Sequence, residues 1–263
     1  MKRLKTLMLT VLALMTAVAF LPSGARVKAA SKKSVYVVTK IKVMEGKSKT
    51  TIKLTYNKTG LLKTIDSPIV DEKSIETFTY NKNNQLIKMV DDSVFHGEKN
   101  HSVFKYSWKK GRKVSKTEIY DGNPTLLKYT YNSKGQIVSE TGGMGGKTTY
   151  SYKGGHVVKS DNEQLHYKAN LDKKGNVTSW TRTYYNKNEK KSEKIGYCNA
   201  RFTYKSGRVK KLSKTFKNNP MQDKERTQTR TFIYKKISVP KKLADSIADQ
   251  QWKLINETDG FAW

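Results

Sequence analysis

One phrase recurs along the chain: a large apolar residue, a small hydroxyl residue, an aromatic residue, then a short polar corner closed by Gly. It reads Leu54-Thr55-Tyr56-Asn57-Lys58-Thr59-Gly60, then Phe78-Thr79-Tyr80-Asn81-Lys82-Asn83-Asn84, then Tyr106-Ser107-Trp108-Lys109-Lys110-Gly111. It returns as Tyr129-Thr130-Tyr131-Asn132-Ser133-Lys134-Gly135, as Tyr150-Ser151-Tyr152-Lys153-Gly154-Gly155 and as Phe202-Thr203-Tyr204-Lys205-Ser206-Gly207. Degenerate copies at Leu171-Asp172-Lys173-Lys174-Gly175 and Phe232-Ile233-Tyr234 make eight in all. Successive copies lie 19 to 33 residues apart, a spacing at which each repeat is one supersecondary unit.

The local chemistry says which unit. Large side chains two apart leave the same face of a strand, with Thr or Ser on the other. The corner ends in the residue type that enters left-handed backbone space without a Cβ penalty, and in the second copy Asn84 takes that place. Apolar pairs such as Leu61-Leu62 and Ile137-Val138 then restart a strand, so each repeat is a β-hairpin. Eight hairpins make an all-β antiparallel meander of about sixteen strands, more than a twisted open sheet carries flat. The expectation is a curled open sheet, an open barrel or a spiral wrap over residues 30–237. Beyond it, Leu243, Ala244, Ile247, Ala248, Leu254 and Ile255 recur at helical spacing behind Pro240, predicting a C-terminal capping helix within 238–263. The structural roles fall to Tyr56, Tyr80, Trp108, Tyr131, Tyr152 and Tyr204, and to the corner glycines Gly60, Gly111, Gly135, Gly155, Gly175 and Gly207.

Composition supports a thin, Tyr-rich β protein: the 263 residues include 15 Tyr and 4 Trp but one Cys, which excludes a disulfide scaffold. Lys2, Arg3 and Lys5 precede a weakly polar to apolar run to Leu21, followed by Pro22, Ser23, Gly24 and a Val27-x-Ala29 junction. That is the form of a secretory signal peptide over 1–29, with no transmembrane span expected after its removal. Cleavage removes five cations and no acids, lowering the formal net charge from +30 to +25, so the basic character belongs to the mature part. Cys198, beside Tyr197 in a strand-like stretch, reads as a half-buried filler.

The phrase Tyr-x-Tyr-Asn-x-x-Gly-x-Ile/Leu, with Gly-Arg at Gly111-Arg112 and Gly207-Arg208, resembles the YD-repeat (RHS-repeat) family of bacterial exported proteins. The resemblance spans most of residues 54–234. It implies a hairpin role for Tyr56, Tyr80, Tyr131, Tyr152 and Tyr204, a turn role for Gly60, Gly135, Gly155 and Gly207, and a secreted or cell-envelope setting. The family's Asp after the second Tyr is here Asn57, Asn81, Asn132 or a Lys. The Asp-Pro element that borders the toxin in that family is absent, so no toxin is implied.

Chemistry is harder to find than charge. His96, Glu98 and His101 sit in what reads as an irregular 91–101 loop, the place for a hydrolytic enzyme, but no third His or Cys accompanies them as a zinc site would require. Asp91-Asp92 and Asp161 with Glu163 read as solvated acids, His156 as a surface variant, His166 as lacking a partner, and Gly142–Gly146 as a hairpin tip. No catalytic, cofactor-binding or metal-binding residue is assigned. The lysines are the signal: Lys58, Lys82, Lys109, Lys110, Arg112, Lys134, Lys153, Lys205 and Arg208 at the corners, with Lys63, Lys88, Lys113, Lys116, Lys159, Lys210, Lys211 and Lys214 at expected solvent positions of strands. Stacked hairpins would align them along one edge and sum their potentials against an anionic cell-wall or extracellular polymer. No specific nucleic-acid motif is present. Two readings compete with polyanion binding: a structural or delivery-associated shell fragment packing against repeat-protein partners through an open edge, and lysines serving solubility alone.

Overall fold

The computed structural model describes residues 31–69, 72–95, 97–142, 146–217 and 224–256, and the expected signal peptide lies outside them. By its contacts the chain divides into Met1–Lys32 and Lys33–Trp263, the second holding the body of the fold. The strands are β1 Lys32–Glu45, β2 Ser48–Tyr56, β3 Leu62–Ile69, β4 Glu72–Tyr80, β5 Leu86–Phe95, β6 Glu98–Lys109, β7 Arg112–Tyr120 and β8 Asn123–Tyr131. They continue as β9 Ile137–Gly142, β10 Lys147–Lys153, β11 His156–Asp161, β12 Leu165–Leu171, β13 Val177–Asn186, β14 Lys191–Lys205, β15 Arg208–Lys217 and β16 Arg226–Pro240. A 3-10 turn at Lys241–Leu243 leads into the helix α1, Ala244–Asn256.

Each strand pairs antiparallel with its chain neighbour, and β16 closes onto β1 to complete a barrel. The expected open or curled sheet is therefore corrected to a closed one. The cause lies beside the corners. In every repeat from β2–β3 to β14–β15 the register slips by one residue next to the second large residue, at Thr55/Tyr56, Thr79/Tyr80, Ser107/Trp108, Thr130/Tyr131, Ser151/Tyr152, Asn170/Leu171 and Thr203/Tyr204. A β-bulge bends its strand and raises the local twist, so one bulge per hairpin curls the whole meander until its ends meet. Across the closing seam Thr39 Oγ1 donates to the Ile233 carbonyl at 3.3 Å, and Arg226 and Gln228 bind Glu45.

The corners fall into two kinds. Where Asn or Asp follows the second large residue, its side chain organises the turn: Asn57 Oδ1 accepts from the Thr59 and Leu61 amides, Asn81 Oδ1 from Asn83 and Gln85, and Asp172 Oδ1 from Lys174 and Asn176. This is the Asx turn that these residue types favour. Where Lys follows, two residues at positive φ make the tight primed turn, as at Lys110 (φ 49) with Gly111 (φ 77) and Ser206 (φ 50) with Gly207 (φ 75).

The second aromatic of each repeat has a further task. Its polar tip reaches across to the strand just before its own: Tyr56 Oη donates to the Val38 carbonyl of β1 at 2.5 Å, Tyr80 to Leu62 of β3 at 2.9 Å and Trp108 Nε1 to Leu86 of β5 at 2.7 Å. Tyr131, Tyr152 and Tyr234 do the same to Lys113, Ile137 and Val209. Tyr204 departs from the series and donates to Asp172 Oδ2 at 2.8 Å. These clasps stitch hairpin to hairpin around one end of the barrel.

The helix covers that end, as expected of a cap. Its Ala244, Ile247, Gln251 and Leu254 are buried, at the spacing of one helical face. Leu254 enters the main core with Val38, Leu54, Phe78, Met89, Leu212 and Phe232. Polar side chains fix it in register: Gln251 Oε1 accepts from the Val38 amide at 2.7 Å, Gln250 Nε2 donates to Tyr80 Oη at 3.0 Å, and Asn256 Oδ1 accepts from the Val177 amide at 2.7 Å. His156, expected at the surface, stacks on Trp252 with ring centroids 4.0 Å apart. Cys198 is buried in a satellite cluster with Tyr167, Trp180 and Phe216, deeper than the half-buried filler expected.

Candidate functional site

The meander brings all repeat corners to the capped end, and with them the corner cations. Lys58, Lys82, Lys109, Lys110, Arg112, Lys134, Lys153 and Lys205 are exposed there, while Arg208 is half-buried. Two of these cations are held by rings: the Arg112 guanidinium lies 5.5 Å from the centroid of Tyr131, and that of Arg208 lies 3.8 Å from Tyr36 and 5.9 Å from Tyr234.

A second set of cations encircles the outer wall. Three residues before each repeat's second anchor stand five cations, Lys53, Lys105, Lys128, Lys168 and Arg201, and three threonines, Thr77, Thr149 and Thr231. Lys53 faces Asp66 and Asp66 faces Ile75, so Thr77, the next equivalent of Lys53, stands two residues further along. Such a stagger tilts the strands, and equivalent positions come round at one level of the barrel. The strand before each adds Lys40, Lys88, Lys159 and Lys211 at the same level. Three pairs stand directly opposite each other: Lys40 with Lys53, Lys88 with Lys105 and Lys159 with Lys168. Like charges in that relation destabilise a sheet. Among the described ion pairs, only Lys159 of these cations has a carboxylate partner, Asp161 at 2.6 Å. Counting back three residues from the anchors finds Lys53, Lys105, Lys128, Lys168 and Arg201, but the register is needed to bring Lys40, Lys88, Lys159 and Lys211 to the same level.

Not every strand lysine faces solvent. Lys113, Lys116 and Lys214 point inward, correcting the expectation for all three. Lys116 is 9% exposed and pairs with Glu118 at 2.6 Å, Lys113 Nζ lies 4.5 Å from the Tyr129 ring centroid, and Lys214 Nζ lies 4.9 Å from that of Phe216. Lys113 stands directly opposite Trp108 at the inward position that follows each corner, and the one-residue bulge beyond that position brings Lys116 and Lys214 to the inner face, where strict alternation from the corner would not place them. Burial, reinforced by the charges of Lys253 and Lys116, pulls the Lys113 ammonium down to about 7. Burial and neighbouring Asp91 push the Glu76 carboxyl up to about 7.

The 91–101 stretch is a regular hairpin of β5 and β6, not an irregular loop, and it spreads its chemistry over two faces. Asp91 faces the interior, where it accepts from Ser74 Oγ at 2.7 Å. Asp92 and His101 pair at 2.7 Å on the exposed wall, while His96 lies outside the described residues. Glu98 stands opposite Phe95 at the far end. Asp161 is shared by Lys159 and His166, so His166 has the partner the sequence did not reveal, and Glu163 pairs with Lys187. Among the described residues no group of three or more His, Cys, Asp or Glu is placed to hold a metal ion.

The fold thus belongs to the class of closed, antiparallel, all-β barrels with one short C-terminal helix. No family model matches the chain, and no curated protein matches it. Among solved structures it is similar to a porin-like protein from Bacteroides uniformis, with TM-score 0.46 and 12% identity over 75% of this chain and 96% of that one. A porin-like protein from Bacteroides vulgatus aligns with TM-score 0.38 and 12% identity over 75% of this chain and 98% of that one. TcdB2-TccC3 without its hypervariable C-terminal region aligns with TM-score 0.28 and 13% identity, over 62% of this chain and 10% of that one.

Proposed function

We propose that the protein is an exported, non-catalytic repeat barrel that binds anionic polymers of the cell envelope or the extracellular space through its basic outer surface. The observation that carries this reading is the belt. Its cost is visible in the three cross-strand Lys pairs, which repel, and carboxylates beside the belt stand only against Lys53 and Lys159 among the described belt cations. Cations held at one level around a closed wall sum their fields, and a flexible polyanion wrapped on them meets the same spacing at each turn. The corner cations at the capped end extend the same field.

The wall also argues for work in water. A barrel spanning a bilayer presents an outward apolar band about 25 Å tall. Here the outward positions carry Lys40, Lys42, Lys53, Thr55, Lys88, Lys105, Lys128, Thr130, Lys168 and Arg201, all exposed. With the barrel closed, the shell-fragment reading loses the open edge through which partners were to pack.

The test is retention on a sulfated-polysaccharide column as salt is raised. The wild type should be retained strongly and released over a steep salt range. A variant with Lys40, Lys53, Lys88 and Lys105 changed to Gln should elute well before one with Lys187, Lys190, Lys191 and Lys194 changed to Gln, which has the same net charge. Equal elution of the two would show that overall charge, not the belt, governs retention.

A further inference from the structure

A cleft of about 470 Å³ lies where the capping helix meets the corners of β12–β13 and β14–β15 and the start of β1. That volume is within the range of small-ligand pockets. We propose that it is a binding site for an amphiphilic anion, a compact apolar body carrying one carboxylate, sulfonate or phosphate group. The proposal stands apart from the belt and would survive its failure.

The floor is apolar, made by Ile247, Ala248, Ile255 and Trp252 of the helix with Val35 and Val209 of the barrel. Most of its polar side chains are committed elsewhere, Tyr204 to Asp172 and Tyr234 to the Val209 carbonyl among them. Gln251 bonds the Val38 amide and Tyr56 Oη, and Asn176 donates to Tyr204 Oη at 2.8 Å while accepting from Asn256. A hydroxyl-rich ligand such as a neutral sugar would find few partners there. Two cations remain on the lips, both fixed in position by rings. Arg208 is stacked 3.8 Å from the Tyr36 centroid, and Lys174 Nζ lies 3.5 Å from that of Tyr204. A cation seated on an aromatic face keeps its charge and loses little freedom on meeting an anion. Apolar floor and paired cations together select a ligand that is greasy at one end and negative at the other. Trp252 is itself braced, by His156 on its face and by a bond from Nε1 to the Gly175 carbonyl at 2.8 Å, so the floor is rigid.

The test titrates the full chain with octanoate and with octanol, which share an apolar body and differ in charge, reading Trp fluorescence and calorimetric heat. Octanoate should bind and octanol should bind at least tenfold more weakly. Arg208→Gln with Lys174→Gln should weaken octanoate by a similar factor and leave octanol unchanged. Ala248→Phe, at an exposed helix position where bulk is tolerated by the fold, should abolish both. Lys105→Gln, on the belt, should change neither. Absence of octanoate binding, equal affinity for the two probes, or octanoate binding that persists in Ala248→Phe would each overturn the proposal.

Discussion

Two separately buried ionisable groups, Glu76 and Lys113, make the sharpest prediction. Glu76 moves from an ordinary value of 4.5 to about 7 because the barrel wall and Asp91 disfavour its charge. Between those two values the folded protein binds a proton that the unfolded chain has released, so stability falls as pH rises through the window and stays low above it. At about 1.4 kcal/mol per pH unit the loss is about 3 kcal/mol at most. Lys113 moves the opposite way, from 10.5 down to about 7. For this group the unfolded chain holds the extra proton, so stability falls as pH drops from 10.5 towards 7. Both penalties are in force together only around neutrality, and the protein should show a stability minimum there with higher stability near pH 5 and pH 9. Glu76→Gln should remove the acid-side limb, gaining about 3 kcal/mol at pH 8 and little at pH 4.5. For a chain of this size the gain corresponds to roughly 6–12 °C in melting temperature. Thermal unfolding followed by circular dichroism across pH is the assay. A Glu76→Gln variant that melts with the wild type at pH 8, or that gains equally at both pH values, would refute the reasoning.

Tyr80→Phe removes the clasp to Leu62 and the bond from Gln250, and should cost about 1–3 kcal/mol in denaturant unfolding, a loss to be compared with a change near zero at exposed Tyr120. Gly60→Ala would bring a Cβ within 2.4 Å of Val239 Cγ1 at a φ of +89, whereas Gly111→Ala at φ +77 meets nothing within 4 Å. Both should destabilise, Gly60→Ala clearly more, and melting temperatures of the two variants would check the order. Lys88→Glu turns a repulsive cross-strand pair with Lys105 into an attractive one and should raise stability by a few tenths of a kcal/mol up to about 1 kcal/mol while weakening polyanion retention. Tyr56, Tyr80 and Tyr234 are pushed up to about 12 by burial, so the clasped end should lose stability as pH climbs from 10 through 12, visible as cooperative onset of tyrosinate absorbance with loss of β signal.

Seven of the eight hairpins, the strand number and the C-terminal helix were legible because period-two aromatics, Asx corners and a helical stripe are local signals, whereas the eighth copy, Phe232-Ile233-Tyr234, lies inside the single unbroken strand β16. Closure was not, because it depends on a one-residue slip beside Tyr56 and its equivalents that leaves the residue pattern unchanged. The same slip hid the inward turn of Lys116 and Lys214, whereas Lys113 occupies the inward post-corner position that Leu62 and Val209 fill in other repeats. His156 looked like a surface residue because its partner, Trp252, is nearly a hundred positions away in the chain and meets it only when the helix folds over the corners. The belt was half visible: Lys88, Lys159 and Lys211 read as solvent-facing, but their alignment with Lys53, Lys105 and Lys168 needed the register. The cleft behind Arg208 could not be foreseen from any single segment, because its walls come from β1, the helix and two distant corners.

Amide hydrogen exchange of β1 and β16, residue by residue in detergent-free buffer, bears most directly on the closed, water-coated barrel. An edge strand protects only every second amide, since successive N–H groups point to opposite neighbours. The account predicts protection of consecutive amides through Thr39–Val43 and Thr229–Ile233, as in interior strands. Alternating fast and slow exchange along either segment would mean an open sheet, and would break both the seam and the continuity of the belt.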